Sequence, residues 1–237
     1  LPVVYFFRKN DSLLHFVKPV FDRRVFLKTC TNGSSELMTN LSMSLVNALY
    51  NLQLMKIAGE NGVAAYGAVM YVNFIFVATF LGYAIGCAPV ISYHYGAGNH
   101  AELKNLYKKS MSIILVWGVI LFGAAQLLAP VLSKIFVGYN TGLYAMTLHG
   151  FRVYAIAFLI IGINIFGSSF FTALNNGLIS AVISFLRTLM FQVIMVLTLP
   201  LWFGINGIWS AISVAEALTL IMTTTFFVRQ KDKYHYL

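Results

Sequence analysis

The chain has 237 residues, of which 59% are hydrophobic and only 10% are charged, and its mean hydropathy is +0.79. This balance excludes an ordinary soluble domain and predicts an integral membrane protein embedded in a lipid bilayer. The formal net charge of +9 follows from Lys and Arg in the connections between apolar segments, so it does not predict a nucleic-acid partner.

Six apolar segments each reach the roughly 20 residues that a helix needs to cross a bilayer. The predicted helices are 34–56, 62–95, 106–129, 151–174, 178–201 and 206–228. The fold class is therefore an all-α integral membrane protein, with a six-transmembrane-helix bundle over residues 34–228 and a cytoplasmic tail over residues 229–237.

Residues 1–33 precede this bundle and are basic and polar after a short apolar start. The opening stretch, LPVVYFF, ends at Arg8 and Lys9, which is typical of the last turns of an earlier helix and not of a signal peptide. We therefore expect an upstream half of the protein, followed by a basic cytoplasmic linker in which Asp22 caps the start of a helix.

The basic residues are divided unequally between the two ends of the predicted helices. Of the 16 Lys and Arg residues, only Lys56, Lys134 and Arg152 lie on one of the two sides. Because the cytoplasmic connections of membrane proteins carry the excess of Lys and Arg, both ends of the chain are predicted to be cytoplasmic.

Asparagine residues mark several predicted helix starts. Asn-Gly pairs stand at Asn61, Asn176 and Asn206, where the Asn side chain can accept hydrogen bonds from the free backbone N–H groups of the first turn. Asn99 followed by Glu102 fits a capping box for the helix that begins there.

Of the seven acidic residues, only Glu36 and Glu216 lie within predicted spans. A carboxylate at membrane depth costs roughly 2 to 3 kcal/mol even on lenient insertion scales. One face of the first helix is polar from end to end, since at about 100° per residue four more polar residues lie within about 80° of Glu36: Asn40, Ser44, Asn47 and Asn51. Lipid cannot hydrogen-bond such a face, so it is predicted to point into the bundle or a wet cavity.

Two other helices carry a similar polar face. The fourth helix has Asn164, Ser168, Thr172 and Asn175 on its face, and the last has Trp209, Ser213, Glu216 and Thr223. For Asn164 and Ser168 two interpretations stay open, because Asn, Ser and Thr can either line a cavity or hold packed helices together by hydrogen bonds.

The two intramembrane acids are the candidate ion-coupling residues. A carboxylate in a low-dielectric cavity is biased toward its neutral form, so a proton, a sodium ion and an organic cation compete for it. Arg187 lies nearer the cytoplasmic side, and we expect its long side chain to reach the membrane interface. Pairing of Arg187 with Glu36 or Glu216 is the alternative.

Aromatic and methionine side chains near the polar faces predict a loose apolar surface for flat organic cations. The candidates for this surface are Met43, Tyr50, Tyr66, Met70 and Asn73. The predicted substrate cavity comprises Asn40, Asn47, Asn51, Tyr66, Met70, Asn73, Asn164 and Ser168.

An intramembrane enzyme is the hypothesis from a different class, and it requires a nucleophile with a base, or a metal cluster. The five His residues lie in or near connections without sharing a helix face, and Cys30 and Cys87 match no metal or redox spacing. The sequence therefore predicts no catalytic residue, no metal site and no cofactor apart from a coupling ion.

Long stretches of the chain resemble the multidrug and toxic compound extrusion (MATE) family. They are NGSSELMTNLSMSLVNALYNLQLMKIAGENGVAAYG, MYVNFIFVATFLGYAIGCAPVISYHYGAGN, AELKNLYKKS, FRVYAIAFLIIGINIFGSSFFTALNN and LRTLMFQVIMVLTLPLWFGINGIWSAISVAEALT. These stretches cover almost the whole chain and are similar to bacterial members near the staphylococcal multidrug exporter type.

The resemblance implies a protein of twelve helices in two lobes related by a pseudo-twofold axis, with a cavity between the lobes. This chain then matches the second lobe, and the coupling carboxylate of the seventh helix falls at Glu36. Some members also have an acid in the tenth helix, where this sequence has Asn164. Both H⁺ and Na⁺ therefore stay open as coupling ions.

The function that the resemblance implies is secondary active antiport in the bacterial plasma membrane. Small organic cations would be exported in exchange for H⁺ or Na⁺, and the partner of this chain would be a first six-helix lobe of the same protein. The alternative is a flippase for lipid-linked precursors of the same superfamily, which should have a basic cavity for a pyrophosphate headgroup. Two acids against a single deep Arg disfavour that alternative.

Overall fold

The computed structural model describes residues 21–236, except for the side chains at positions 31, 32, 34–36, 38 and 39. Over this part of the chain the structure is helical, without a β-strand. Its elements are α1 (Arg23–Gly96), α2 (His100–Val137), α3 (Thr141–Tyr154), a 3-10 turn (Ala155–Ala157), α4 (Phe158–Ala173), α5 (Gly177–Phe185), a π-helical turn (Leu186–Met190), α6 (Phe191–Phe203) and α7 (Ile205–Tyr234).

Helix α1 is interrupted at Gly59, whose φ of 62° and ψ of −154° are not helical. Glycine adopts this left-handed φ at little cost because it has no Cβ, so the chain can bend here. The apolar stretch Asn40–Gly96 has 57 residues, about 85 Å of helix, whereas a hydrocarbon core is about 30 Å thick. The segments 23–58 and 60–96 of α1 therefore account for two crossings.

Four further stretches are long and apolar enough to cross a membrane: His100–Val137, Thr141–Ala173, Gly177–Phe203 and Ile205–Tyr234. Together with the two segments of α1, they agree with the predicted six-helix bundle. Large apolar side chains on the outside of the bundle are exposed, including Leu127 at 81% and Trp202 at 80%. Such a surface suits contact with lipid tails, which are as apolar as these side chains.

Several helices extend beyond the predicted limits. Helix α1 begins at Arg23 and not at 34, α2 continues to Val137 and not to 129, and α3 begins at Thr141 and not at 151. At the other end of the chain, α7 continues to Tyr234 and not to 228, and Tyr236 behind it is buried. In α1 and α7 charged residues end the apolar run, but Lys and Arg are good helix formers, so these two helices continue past them.

The predicted caps are correct at three positions and wrong at two. Asp22, Asn99 and Asn176 each accept a hydrogen bond through a side-chain oxygen from a backbone N–H in the first turn of the following helix. Asn61 and Asn206 do not mark the breaks. In both cases the break falls at the glycine two residues earlier, which has a positive φ.

Helix α4 lies at the centre of the bundle and packs against α1, α2, α5 and α7. Most of its side chains are buried. Gly162 permits this close packing, because a Cβ at that position would lie 2.5 Å from the ring of Phe80 and 2.8 Å from Ile114. Side chains on α4 therefore contact several helices, and Asn164 on α4 donates hydrogen bonds to Glu216 on α7.

Candidate functional site

The carboxylate of Glu216 is the centre of the candidate site. Glu216 lies on α7 and is fully buried. Arg187 Nε, in the π-helical turn, donates to Glu216 Oε1 at 2.9 Å and to Oε2 at 3.2 Å. Asn164 Nδ2, on α4, donates to Oε2 at 2.7 Å and to the main-chain oxygen of Glu216 at 2.9 Å. Both carboxylate oxygens are thus compensated, as a buried charge requires.

A cavity of about 220 Å³ borders this cluster. Its lining residues come from α1, α3, α4, the π-helical turn, α6 and α7. Most of the lining is aromatic, methionine or aliphatic, and Arg187, Gln192 and Glu216 are among its few polar groups. Apolar walls with a small number of placed polar groups are typical of sites for small molecules.

One wall of the cavity is a stacked aromatic pair. The rings of Tyr50 and Tyr66 have centroids 5.0 Å apart and planes 9° from parallel. Tyr66 Oη donates to Asn47 Oδ1 at 2.9 Å, which fixes the orientation of that ring. With the polarizable thioether of Met70 beside it, this wall offers a flat, adaptable apolar surface.

The structure brings five of the predicted site residues together around the cavity: Asn47, Tyr66, Met70, Asn73 and Glu216. Met43 and Tyr50, which the sequence predicted as part of the apolar surface, line it as well. These residues come from both segments of α1 and from α7, so the break at Gly59 is what places the polar face of the first segment opposite the second.

Asn164 and Ser168 lie elsewhere, although they share a face of α4. Asn164 is fully buried next to Glu216 and does not line the cavity. Ser168 Oγ lies 2.9 Å from Ser180 Oγ and 2.8 Å from Ser184 Oγ on α5. Of the two interpretations left open by the sequence, helix-to-helix hydrogen bonding describes the contacts of Ser168.

Two predicted residues on the first segment of α1 do not line this cavity, and a third lies outside the described side chains. Asn40 and Asn51 are exposed and do not line it. The backbone of Glu36 lies in α1, but its side chain is outside the described part of the chain.

Arg187 forms the pair with Glu216 that the sequence analysis gave only as an alternative. The expected position at the membrane interface is wrong, because the side chain is only 16% exposed, lines the cavity and pairs with Glu216. A buried carboxylate without a partner is far more costly than a paired one, so the pair forms instead. The available signal was the isolation of this cation between the charge-free runs 153–186 and 188–215. Tyr154, Thr188 and Gln192 also line the cavity without having been predicted.

Two buried oxygens near the carboxylate, Tyr50 Oη and Asn164 Oδ1, have no hydrogen-bond partner among the described residues. Buried polar atoms are normally paired, so these two atoms can accept bonds from water or from a bound molecule. Within the described residues, His, Cys, Asp and Glu side chains do not converge in threes as metal ligands would.

The membrane-crossing helices, the buried acid and the aromatic cavity define a multi-pass helical membrane protein with a cavity of small-molecule size. A family model described as MatE matches residues 37–198 of the chain. The match covers well over half of the sequence, so the chain belongs to the MatE family. A comparison with curated proteins gives no match.

Solved structures of MATE proteins share this fold. A MATE protein in complex with MaL6 has a TM-score of 0.88, with 19% identity over 99% of this chain. An outward-facing multidrug resistance MATE family transporter of the MOP superfamily has a TM-score of 0.84, with 20% identity over 95% of the chain. A MOP superfamily transporter from Pyrococcus furiosus has a TM-score of 0.84, with 19% identity over 95% of the chain. Only 54%, 51% and 51% of those chains are covered, so this chain spans about half of their length.

Proposed function

We propose that this chain is the second six-helix lobe of a secondary active antiporter, which exports small organic cations across a bacterial plasma membrane in exchange for H⁺ or Na⁺. The observation that carries the proposal is a buried carboxylate, Glu216, beside a cavity walled by aromatic and methionine side chains. A flat organic cation can lie on the Tyr50 and Tyr66 pair while its charge competes for a carboxylate.

A first lobe of the same protein completes the proposed transporter. The match to about half of each solved chain supports this arrangement. Residues 1–33 would hold the end of a preceding helix and the basic linker, residues 34–228 the lobe, and residues 229–237 the tail, with both termini in the cytoplasm. Rocking of one lobe against the other would give alternating access to the cavity.

We assign the following roles within this proposal. Glu36 and Glu216 are the ion-coupling carboxylates. Asn47, Asn51, Tyr66, Met70 and Asn73 contact the substrate, together with Asn40. The exposure of Asn40 and Asn51 on α1 supports a position facing the first lobe. Asn164 holds the Glu216 carboxylate in place, and Ser168 joins α4 to α5.

A flippase for lipid-linked precursors is the second candidate. Arg187 favours it, because a guanidinium in a cavity can bind a pyrophosphate headgroup. The Pyrococcus furiosus structure is described as having a binding pocket of reverse polarity that suggests a different function. In this chain, however, Arg187 and Glu216 are the two charged residues of the described lining and their formal charges cancel. Cation export therefore has the stronger support.

The test is ethidium efflux from cells that express the full-length protein containing this chain, with the proton and sodium gradients collapsed separately. We expect efflux to depend on one gradient, and to fall at least tenfold in Glu36→Gln and in Glu216→Gln at equal expression. Glu60→Gln is the matched control, because Glu60 is an exposed acid at the break in α1. Normal efflux in both test variants would remove the coupling roles, and a native protein that exports nothing would move the flippase ahead.

A further inference from the structure

Arg187 forms an ion pair with Glu216, the carboxylate that the proposed antiporter needs to bind cations. Its guanidinium Nε lies 2.9 Å and 3.2 Å from the two oxygens of Glu216. A coupling ion or a substrate cation that binds this carboxylate must compete with Arg187, because two cations at one carboxylate repel each other. The guanidinium is attached to the chain, so its effective concentration at Glu216 far exceeds that of a free cation.

The segment that carries Arg187 is itself unusual. Leu186–Met190 is a π-helical turn, in which the N–H of Phe191 donates to the carbonyl of Leu186. Such turns are rare and occur mostly as single turns within α-helices at functional sites. Conversion of this turn to α-helical hydrogen bonds would change the register of α5 against α6 by one residue, about 100° of rotation. That rotation is enough to carry a side chain of the turn away from α7.

Thr188 links this turn to the cavity. Its Oγ1 donates to the carbonyl of Ser184 at 2.7 Å, and the residue is buried. A hydroxyl that takes a main-chain carbonyl competes with the backbone N–H groups for that carbonyl and bends helices. Thr188 also lines the cavity, as do Arg187 and Glu216. A molecule in the cavity therefore touches both the π-helical turn and the ion pair.

We infer that Arg187 is a tethered counter-ion that closes Glu216 to other cations in the conformation seen here, and that the π-helical turn releases it when a cation binds. The inference rests on the proposed function, since it concerns the same carboxylate. Arg187 is a positioning residue in this scheme. Its ion pair controls when another cation can bind Glu216, and Arg187 is not transported.

The experiment measures how fast Glu216 reacts with dicyclohexylcarbodiimide in the full-length protein in liposomes, with mass spectrometry to separate Glu216 from other acids. This reagent reacts with protonated carboxyl groups in an apolar environment, and a cationic partner favours the ionised form, which does not react. We expect Arg187→Gln to react at least tenfold faster than the native protein. Arg187→Lys keeps the cation and is expected to stay within threefold of native.

The Thr188 position tests the turn without a substitution at either member of the ion pair. Thr188→Val keeps the side-chain shape and loses the hydroxyl that bonds the carbonyl of Ser184. Without that bond the turn should convert to α-helical hydrogen bonds and carry Arg187 away from Glu216. We therefore expect labelling of Glu216 to rise several-fold. Thr188→Ser keeps the hydroxyl and should react at the native rate. Equal rates for these two variants would overturn the role of the turn, and equal rates for native and Arg187→Gln would overturn the counter-ion. If Arg187→Gln does not assemble, the comparison of Thr188→Val with Thr188→Ser still tests the role of the turn.

Competition by cations separates this inference from the proposed function. Na⁺ or tetraphenylphosphonium should slow the labelling of Arg187→Gln at least fivefold and that of the native protein less than twofold. If the labelling follows this pattern in a protein that exports no cation, the role of Arg187 is supported and the proposed antiport is wrong. If cations are exported and native Glu216 is labelled as fast as in Arg187→Gln, the proposed antiport is supported and the role of Arg187 as a counter-ion is wrong.

Discussion

Two polar clusters lie about one turn apart on α4, and they differ in chemistry. At the first, Asn164 donates to the carboxylate of Glu216, which also accepts from Arg187. At the second, Ser168 contacts two hydroxyl groups of α5, and Thr172 Oγ1 donates to Ser180 Oγ at 2.6 Å. The first cluster holds a pair of charges beside a cavity, whereas the second holds only neutral hydroxyl groups between two helices.

This difference shows how one helix face can carry two functions. The hydroxyl groups of the second cluster satisfy one another, so they join α4 to α5 and need nothing from outside. In the first cluster the buried carboxylate depends on a cation, and the Oδ1 atom of Asn164 has no partner among the described residues. Of these two clusters only the first contains charged groups, so it is the one whose contacts we expect a charged molecule to change. Three substitutions test the contrast.

The largest effect is expected for Arg187→Gln. It leaves the buried carboxylate of Glu216 without its cation, which costs about 3–5 kcal/mol for buried pairs. The measurement is unfolding in mixed micelles titrated with sodium dodecyl sulfate. Replacement of both partners, in Arg187→Gln with Glu216→Gln, removes the uncompensated charge and should recover most of the loss. A double variant as unstable as Arg187→Gln alone would show that the guanidinium acts through packing.

A smaller effect is expected for Asn164→Leu, which keeps a similar volume on α4. The substitution removes the donor to both the side-chain and main-chain oxygens of Glu216, and an unsatisfied buried acceptor costs about 1–3 kcal/mol. The same titration measures the loss, and ethidium efflux should fall as well. Unchanged stability together with unchanged efflux would mean that Asn164 does not hold the carboxylate.

The smallest effect is expected for Ser180→Ala in the hydroxyl cluster. Hydrogen bonds between membrane helices contribute about 0.6 kcal/mol on average, so the loss of stability should be about 1 kcal/mol or less. Ethidium efflux should stay within twofold of native, because Ser168, Thr172 and Ser180 do not line the cavity. A tenfold loss of efflux at normal stability would contradict the division between the two clusters.

Much of the fold could be predicted from apolar runs. The six crossings follow from segment length alone, since about 20 apolar residues are needed to span the membrane. The helix ends were predicted less well, because a change from apolar to charged residues marks the edge of the membrane and not the end of hydrogen bonding. Helix α1 thus begins at Arg23, before its apolar run, and α7 continues to Tyr234 past its own.

The candidate site was predictable where helical spacing alone places a residue. Asn47 lies on the same face as Glu36 by periodicity, and Tyr66 and Met70 are one turn apart on the next segment. The three residues do line one cavity. Periodicity says which side of a helix a residue is on, but it does not say which other helix that side meets. For this reason the partner of Glu216 could not be selected from the sequence.

The sequence by itself determined that this is a membrane protein, how many times it crosses, that Glu216 lies within a crossing helix, and the family that it resembles. The crossings follow from composition and segment length, which are local, whereas the family is indicated by the resemblance of long stretches of the sequence. Only the tertiary structure decided that Arg187 meets Glu216, that Asn164 holds the carboxylate and that Ser168 joins two helices. Those contacts depend on how separate helices pack, because the cost of burying a charge is lowered only by the particular groups that packing brings next to it.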